Sequence, residues 1–237
     1  MSSVRIPADP YEFPLDDTLS CAHSALLVID MQRDFLSPGG YMDQRGEDLS
    51  LFQAVIPCIQ RLLGAARGAD IHIFHTREGH RPDGSDLPRI KRLRSRRAGS
   101  EIGSSGPLGR LLTRGEAGWE IIPELAPHSR EPVIDKPGTG AFFATDLDFL
   151  LRQRGVRQLI LCGVTTAVCV ATTLREASDR GYDTLLVADC CAESDPALHE
   201  AAVQTVKLEG GYFGTVADSD DVVAALEKLA RIPETAP

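Results

Sequence analysis

The sequence predicts an α/β fold, a three-layer α/β/α sandwich with a mostly parallel central sheet. Short apolar runs rich in Val, Ile and Leu alternate along the chain with longer segments of helical periodicity, which is typical of β-α repeats around a parallel sheet. The runs are apolar almost throughout, as expected of strands buried on both faces. The length of 237 residues and the 43% hydrophobic content fit one domain spanning residues 1–237.

The elements can be placed in chain order. Apolar runs predict strands at Ala25–Met31, Ile71–Thr76, Pro132–Asp135, Gln158–Gly163, Thr184–Ala188 and Gly211–Thr215. Helical periodicity predicts helices at Leu51–Arg67, Asp146–Arg154, Ala167–Arg180, Pro196–Glu209 and Ser219–Arg231, several of which close with Gly or a basic residue. We expect these helices to cover both faces of the sheet.

The segment from Glu78 to Pro123 does not follow this alternation. It is dense in Gly, Pro and Arg, with little strand or helix pattern, and long irregular segments of compact domains are usually lids or binding loops. We expect residues 78–123 to cover the active site or to form a subunit contact. Its basic cluster fits the same two roles, or plain solvation, and consists of Arg89, Lys91, Arg92, Arg94, Arg96 and Arg97.

Composition disfavours several classes of partner. The formal net charge of -9 and the pI near 5.2 repel DNA and RNA, so a small neutral ligand is the better expectation. We expect no apolar run long enough to span a bilayer, and the amino-terminal residues lack a secretory signal pattern, which predicts a cytoplasmic protein. The six cysteines are expected to be reduced, since a chain of this length needs no disulfide framework.

Polar residues directly after the predicted strands are the candidates for catalysis, because ligands of open parallel sheets bind beyond the carboxyl ends of the strands. Asp30 closes the run ALLVID, and Lys136 follows PVID, just before a Pro-Gly turn. Cys169 falls in the first turn of the helix expected to begin near Thr166, where the partial positive charge of the helix favours a thiolate.

Together these three residues predict a nucleophilic mechanism. Lys136 and the helix dipole would lower the pKa of the thiol, Asp30 would accept its proton, and the thiolate would add to a carbonyl. Backbone N–H groups near Thr165 and Cys169 would hold the oxyanion. Taken singly, Cys169 fits a buried helix cysteine, Lys136 a strand-end charge and Asp30 a cap, so the prediction depends on their joint placement.

Three motifs resemble the isochorismatase-like cysteine hydrolases: ALLVIDMQRDF, DKPGTGAFFATDL and LCGVTTAVCVATTLREASDRGY. The resemblance runs from about residue 20 to residue 220. It implies a Rossmann-like fold, no cofactor, a tetramer, and a catalytic triad of Asp30, Lys136 and Cys169. The non-proline cis peptide of that family maps to Val164–Thr165 and would turn the Thr165 N–H towards the substrate carbonyl.

Further segments, among them HTREGHRPD, KRLRSRR and VKLEGGYFG, resemble the subgroup that hydrolyses biuret and triuret. That resemblance implies release of ammonia, with allophanate or carboxybiuret as the other product. Phe35 is expected to supply a flat wall for such a substrate. Glu209 replaces a Gln of the biuret enzymes, and a carboxylate that accepts from extra N–H donors would favour triuret.

Other functions stay open. An enzyme of the same class acting on ureidoacrylate, N-carbamoylsarcosine or nicotinamide would need, for a carboxylate-bearing substrate, a cation that the sequence does not identify. A non-catalytic binding protein would be expected to lack one of the three site residues, and Cys169 argues against isochorismate hydrolysis. His75 and His80 lack a neighbouring D-x-H pattern, so no metal is predicted. By position alone, Trp119 and Arg92 are candidates to enter a neighbouring subunit's pocket.

Overall fold

The computed structural model describes residues 4–232. Its strands are β1 (Ser24–Ile29), β2 (His72–Glu78), β3 (Ser105–Gly106), β4 (Gly109–Arg110), β5 (Val133–Lys136), β6 (Gln158–Val164), β7 (Asp183–Ala192) and β8 (Thr215–Ala217). Its α-helices are α1 (Arg33–Leu36), α2 (Tyr41–Gln44), α3 (Leu49–Gln53), α4 (Ile56–Gly68), α5 (Arg89–Arg97), α6 (Leu147–Gln153), α7 (Ala171–Asp179), α8 (Pro196–Val206), α9 (Leu208–Gly211) and α10 (Ser219–Ala230).

Six strands form one parallel sheet in the order β5-β2-β1-β6-β7-β8, and β3 pairs with β4 in a small antiparallel hairpin. Strands β1 and β6 lie in the middle of the sheet and are buried along their whole length. Helices α4 and α10 pack together and against β7, while α7 and α8 also contact β7. With right-handed crossovers, α4 and α10 lie on one face of the sheet, and α7 and α8 lie on the other. The predicted α/β/α sandwich is therefore confirmed.

The strand order reverses direction between β1 and β6. From β1 the chain moves outwards through β2 to β5, and from β6 it moves the other way through β7 to β8. A crevice therefore opens at the carboxyl ends of β1 and β6, where open α/β sheets bind their ligands. Asp30 follows β1 directly, and the segment with Cys169 follows β6.

Three predicted elements need correction. The last strand is Thr215–Ala217, because Gly211 and Gly214 have positive φ and belong to the turn before it. Helix α8 ends at Val206, and the following turn α9 has left-handed backbone at Glu209 and Gly210.

The segment 78–123 is also more regular than expected, since it contains the nine-residue helix α5. Only Ser95 of this helix is buried, so its sequence carries too little apolar periodicity to reveal it.

One helical segment, Leu49–Gly68, is long and apolar enough by composition to cross a membrane, with a mean hydropathy of 1.4. This corrects the expectation that no such run exists. In the structure it is divided into α3 and α4, and its side chains Phe52, Ile59 and Leu62 are fully buried in the core. Packing against the sheet and α10 accounts for its apolar character.

Candidate active site

Asp30, Lys136 and Cys169 meet at the carboxyl edge of the sheet. The Lys136 ammonium nitrogen lies 2.8 Å from Asp30 Oδ2 and 3.5 Å from Cys169 Sγ. Asp30 and Lys136 are fully buried, and Cys169 is 5% exposed. The structure therefore brings together the three residues that the sequence singled out, on three different elements of the fold.

Asp30 is held by its neighbour on β2. Its backbone has a φ of 54°, and its N–H donates to the Thr76 carbonyl at 3.2 Å. The Thr76 hydroxyl donates to Asp30 Oδ1. Oδ2 lies 2.8 Å from the Lys136 ammonium nitrogen and forms a close, fully buried ion pair with it.

Lys136 ends β5 with its ammonium group enclosed by acceptors. It donates to the carbonyls of Gly138 at 3.0 Å and Thr139 at 2.9 Å, in the turn that follows the strand. Burial alone would lower the pKa of Lys136, but Asp30, the Cys169 thiol and Glu78 outweigh it and raise that pKa above its ordinary value. The lysine therefore stays a cation inside the protein.

Cys169 lies in a π-helical turn, Thr166–Val170, that leads into α7. Burial raises the pKa of its thiol well above the ordinary value; Lys136 acts in the opposite direction, and Asp30 and Glu78 raise it further. The predicted depression of the thiol pKa is therefore wrong for the free site. Burial likewise raises the pKa of Asp30, against the effect of Lys136, which makes this carboxylate a better proton acceptor.

A fourth charged residue, Glu78, belongs to the same cluster and was missed by the sequence analysis. Its Oε2 accepts from the Cys169 thiol at 3.3 Å and from Lys136 at 3.3 Å. Its Oε1 forms an ion pair of 2.6 Å with Lys91 of α5. Burial alone would raise the pKa of Glu78, but Lys136 and Lys91 lower it to about 2, so the group is ionised.

The predicted cis peptide bond lies where β6 ends and the π-helical turn begins. The peptide bond between Val164 and Thr165 is cis in the structure. Thr165 is buried and lies beside Cys169 in the lining of the same cavity. The oxyanion role of the Thr165 and Cys169 N–H groups stays a prediction.

A cavity of about 280 Å³ opens onto Cys169. One wall is apolar and includes Phe35, Tyr41, Met42, Ile102 and Leu112. The role of Phe35 as a flat wall for the substrate stays a prediction. The mouth carries the cations Arg45, Lys91 and Arg94. Residues of the segment 78–123 thus line the cavity. Two larger cavities, of about 460 and 420 Å³, include residues at the amino ends of β6 and β2 and do not contain Cys169.

Glu209 is not part of this cavity. It is exposed in the turn between α8 and β8, at the amino end of the sheet, whereas Cys169 lies at the carboxyl end. A connection that returns from one parallel strand to the start of the next always ends at the edge away from the site. The prediction that Glu209 contacts substrate is therefore wrong within one chain, and the preference for triuret loses its basis.

The remaining candidates also lie outside the Cys169 cavity. His75 contacts Glu131 at 2.9 Å, and His80 contacts Asp86 at 3.3 Å, so each buried imidazole faces an acid. Trp119 is buried under the Arg77 guanidinium, 3.5 Å from its ring centre. The roles of Trp119 and Arg92 in a neighbouring subunit, and the tetramer itself, stay predictions.

Residues 24–221 match the isochorismatase domain family. The chain belongs to the isochorismatase family. This range contains all four charged or thiol groups of the cluster, and it confirms the family resemblance read from the three sequence motifs.

Individual relatives agree with this assignment. The chain is 33% identical over 227 residues to a ureidoacrylate amidohydrolase from Acinetobacter baylyi, covering 92% of this chain and 89% of the relative. It is 35% identical over 224 residues to one from an Enterobacter species, covering 91% and 95%. A cysteine hydrolase structure from Pseudomonas syringae superposes with a TM-score of 0.75 at 28% identity, covering 97% and 99%. Two of these three relatives are ureidoacrylate amidohydrolases and none of the three is a biuret hydrolase, so the resemblance to the biuret subgroup stays a prediction.

Proposed function

We propose that this isochorismatase-family chain is a cysteine-dependent amidohydrolase that cleaves a C–N bond of a small ureido compound. The observation that carries the proposal is the buried contact of Cys169 Sγ with Lys136 Nζ at 3.5 Å, with the Asp30 carboxylate 2.8 Å from the same ammonium and within 4.8 Å of the sulfur. A thiol, a proton acceptor and a fixed cation at the bottom of a cavity are the parts that acyl transfer needs.

The first half-reaction transfers the acyl group to sulfur. Asp30 Oδ2 takes the thiol proton while Cys169 Sγ bonds to the ureido carbonyl carbon, and the carbonyl electrons move onto its oxygen. The N–H groups of Thr165 and Cys169 stabilise that oxyanion. When the tetrahedral adduct collapses, the C–N bond breaks and Asp30 returns the proton to the departing nitrogen.

The second half-reaction releases the acyl group to water. Asp30 takes a proton from a water molecule, and the oxygen of that water adds to the thioester carbonyl carbon. The C–S bond then breaks, and the thiolate recovers its proton from Asp30. Lys136 stays charged throughout and stabilises the sulfur whenever it carries negative charge.

A ureido acid such as ureidoacrylate is the favoured substrate. Two of the relatives named above are ureidoacrylate amidohydrolases, and a substrate carboxylate requires a cation near the thiol. Arg94 at the cavity mouth supplies one, because it forms no ion pair with any residue in the range 4–232. Arg45, by contrast, is already paired with Glu47 at 3.1 Å. A guanidinium without a partner is suited to bidentate binding of a carboxylate.

Biuret or triuret is the second candidate. It is favoured by the segments around Gly40, His75 and Lys91 that resemble the biuret subgroup, and by the apolar cavity wall, which suits a flat neutral ligand. The two candidates share the ureido group and the chemistry at Cys169. They differ in whether the far end of the substrate carries a negative charge.

Substitution of Arg94 distinguishes the two. Ammonium release would be measured for ureidoacrylate, biuret, triuret, N-carbamoylsarcosine and nicotinamide at equal concentration. Arg94→Met should raise the KM for ureidoacrylate by about 10- to 100-fold, the equivalent of a lost charge-assisted hydrogen bond, and leave the KM for biuret within about twofold. Arg89→Met is the matched control, because Arg89 is exposed on the same helix and lies outside this cavity.

The outcome decides the substrate class. A higher kcat/KM for ureidoacrylate than for biuret and triuret, together with the Arg94 effect, supports the ureido acid. A higher kcat/KM for biuret or triuret, with no effect of Arg94→Met, replaces it with the neutral acylurea. Absence of ammonium release from all five compounds would refute both.

A further inference from the structure

The ion pair between Lys91 and Glu78 connects helix α5 to the nucleophile. Lys91 Nζ lies 2.6 Å from Glu78 Oε1 and donates to the Pro137 carbonyl at 2.7 Å. The other oxygen of the same carboxylate accepts from Cys169 Sγ at 3.3 Å. A single buried carboxylate, that of Glu78, therefore contacts both Lys91 and the Cys169 thiol. Lys91 also donates a hydrogen bond to Pro137, the residue after Lys136.

The charges of this cluster balance only when Lys91 is counted. Asp30 and Glu78 are negative and Lys136 is positive, so without Lys91 a protonated thiol would sit in a buried group of net charge −1. Lys91 brings the sum to zero. Moving the thiol proton to Asp30 leaves that sum at zero, whereas an uncompensated Glu78 would oppose the thiolate as a like charge within contact distance.

We propose that Lys91 is a positioning residue that neutralises Glu78 and thereby sets the reactivity of the Cys169 thiol. The inference rests on the proposed function, in which Cys169 is the nucleophile. The segment 78–123 would then have a second role besides lining the cavity. Its helix α5 supplies the positive charge of Lys91, which balances the negative charge of Glu78.

Other charged or titratable groups surround Glu78 and Cys169, and none replaces Lys91. Arg45 is paired with Glu47, His80 with Asp86, and Arg94 stays at the cavity mouth. Of the two lysines that contact Glu78, Lys136 is already the partner of Asp30. Among residues 4–232, the charged or titratable groups that contact or electrostatically influence Glu78 and Cys169 include Asp30, Tyr41, Arg45, His80, Lys91, Arg94 and Lys136.

The test measures the thiol directly and needs no substrate. Iodoacetamide alkylation of the peptide that contains Cys169 would be followed by mass spectrometry across pH for the wild type, Lys91→Met, Lys91→Arg, Glu78→Gln and the double variant Lys91→Met/Glu78→Gln. Exposing one like charge raises a neighbouring pKa by about one unit or more, so Lys91→Met should slow alkylation at neutral pH by at least about tenfold.

The remaining variants make the result specific. Lys91→Arg keeps the charge and should stay within about threefold of the wild type. In the Glu78→Gln background, Lys91→Met should change the rate by less than about twofold, because no charge is left to neutralise. Arg89→Met on the same helix is the structural control and should leave the pH profile unchanged, because Arg89 is exposed and lies outside the Cys169 cavity.

Two results would overturn the inference: a Lys91→Met effect below threefold in the wild-type background, or an effect of equal size with and without Glu78. Failure of the proposed function looks different. If none of the ureido compounds is hydrolysed while the alkylation pattern is as expected, the substrate assignment falls and the role of Lys91 stands.

Discussion

Among residues 4–232, two clusters place cysteine beside carboxylate, and only one combines them with a buried cation and a cavity. In the first, Cys169 lies with Asp30 and Glu78 at the carboxyl edge of the sheet, and in the second Cys58 and Cys190 lie with Asp189; within each, the thiol and carboxylate ligand atoms are less than 4.8 Å apart. The first cluster has a buried ammonium group 3.5 Å from the sulfur and a cavity above it.

The second cluster lacks both features among residues 4–232. Its Asp189 carboxylate is occupied by Ser219, which donates its hydroxyl at 2.6 Å and its N–H at 2.8 Å. The nearby cation, Arg61, is exposed and paired with Asp220 at 2.7 Å. A hydrogen bond from Cys190 lowers the pKa of the Cys58 thiol, whereas burial raises that of Cys169. Acidity of the free thiol therefore does not separate the two clusters; a buried carboxylate–ammonium pair and a cavity do.

The largest expected effect comes from removing the cation of the first cluster. Lys136→Met leaves Asp30 and Glu78 buried without their shared partner, which should destabilise the fold by about 3–5 kcal/mol and lower turnover by at least about 1,000-fold. Thermal unfolding and ammonium release measure the two effects.

Arg61→Met is the matched change beside the second cluster. It should leave turnover within about twofold, because Arg61 is exposed, is paired with Asp220 and does not line the Cys169 cavity. Equal losses in Lys136→Met and Arg61→Met would remove the distinction between the clusters.

The pH dependence of stability gives the next effect. The folded pKa of Glu78, about 2, lies below its ordinary value of 4.5, so the ionised carboxylate stabilises the fold above about pH 4.5, and this contribution disappears as the pH falls towards 2. It amounts to at most about 3 kcal/mol. Urea unfolding at pH 5 and pH 3 should show a smaller loss of stability for Glu78→Gln than for the wild type, and an equal loss would contradict the ionised state of Glu78.

The smallest effect is expected at the second cluster. Cys58→Ala should change kcat/KM by less than about twofold, since Cys58 contacts Asp189 at 3.5 Å and lies outside the Cys169 cavity. At neutral pH the peptide with Cys58 should nevertheless be alkylated faster than the peptide with Cys169, because its thiol is more acidic and less buried. Inactivation that follows Cys58 modification would contradict this.

The fold and three site residues were predictable for a simple physical reason. Strands buried on both faces leave continuous apolar runs, and Asp30, Lys136 and Cys169 stand where such runs end or the next helix starts. Glu78 was missed because Thr76 and Arg77 interrupt the apolar run, although β2 continues through both to Glu78. Had the strand been predicted to end at Glu78 instead of Thr76, the search for polar residues at strand ends would have found Glu78.

Other features leave no local signal. Lys91 belongs to a helix that buries only Ser95, so nothing in its sequence separates it from the neighbouring surface arginines. Glu209 was misplaced because its motif lies near a glycine-rich turn, and only the chain path shows that this turn is at the far edge of the sheet. The raised thiol pKa of Cys169 depends on burial, which a sequence pattern does not provide.

The most direct test of the nucleophile is ammonium release by Cys169→Ala and Cys58→Ala side by side, with the best ureido substrate of the screen. Loss of turnover to the uncatalysed rate in Cys169→Ala, with turnover close to that of the wild type in Cys58→Ala, is the predicted result. Persistent turnover by folded Cys169→Ala protein would contradict it.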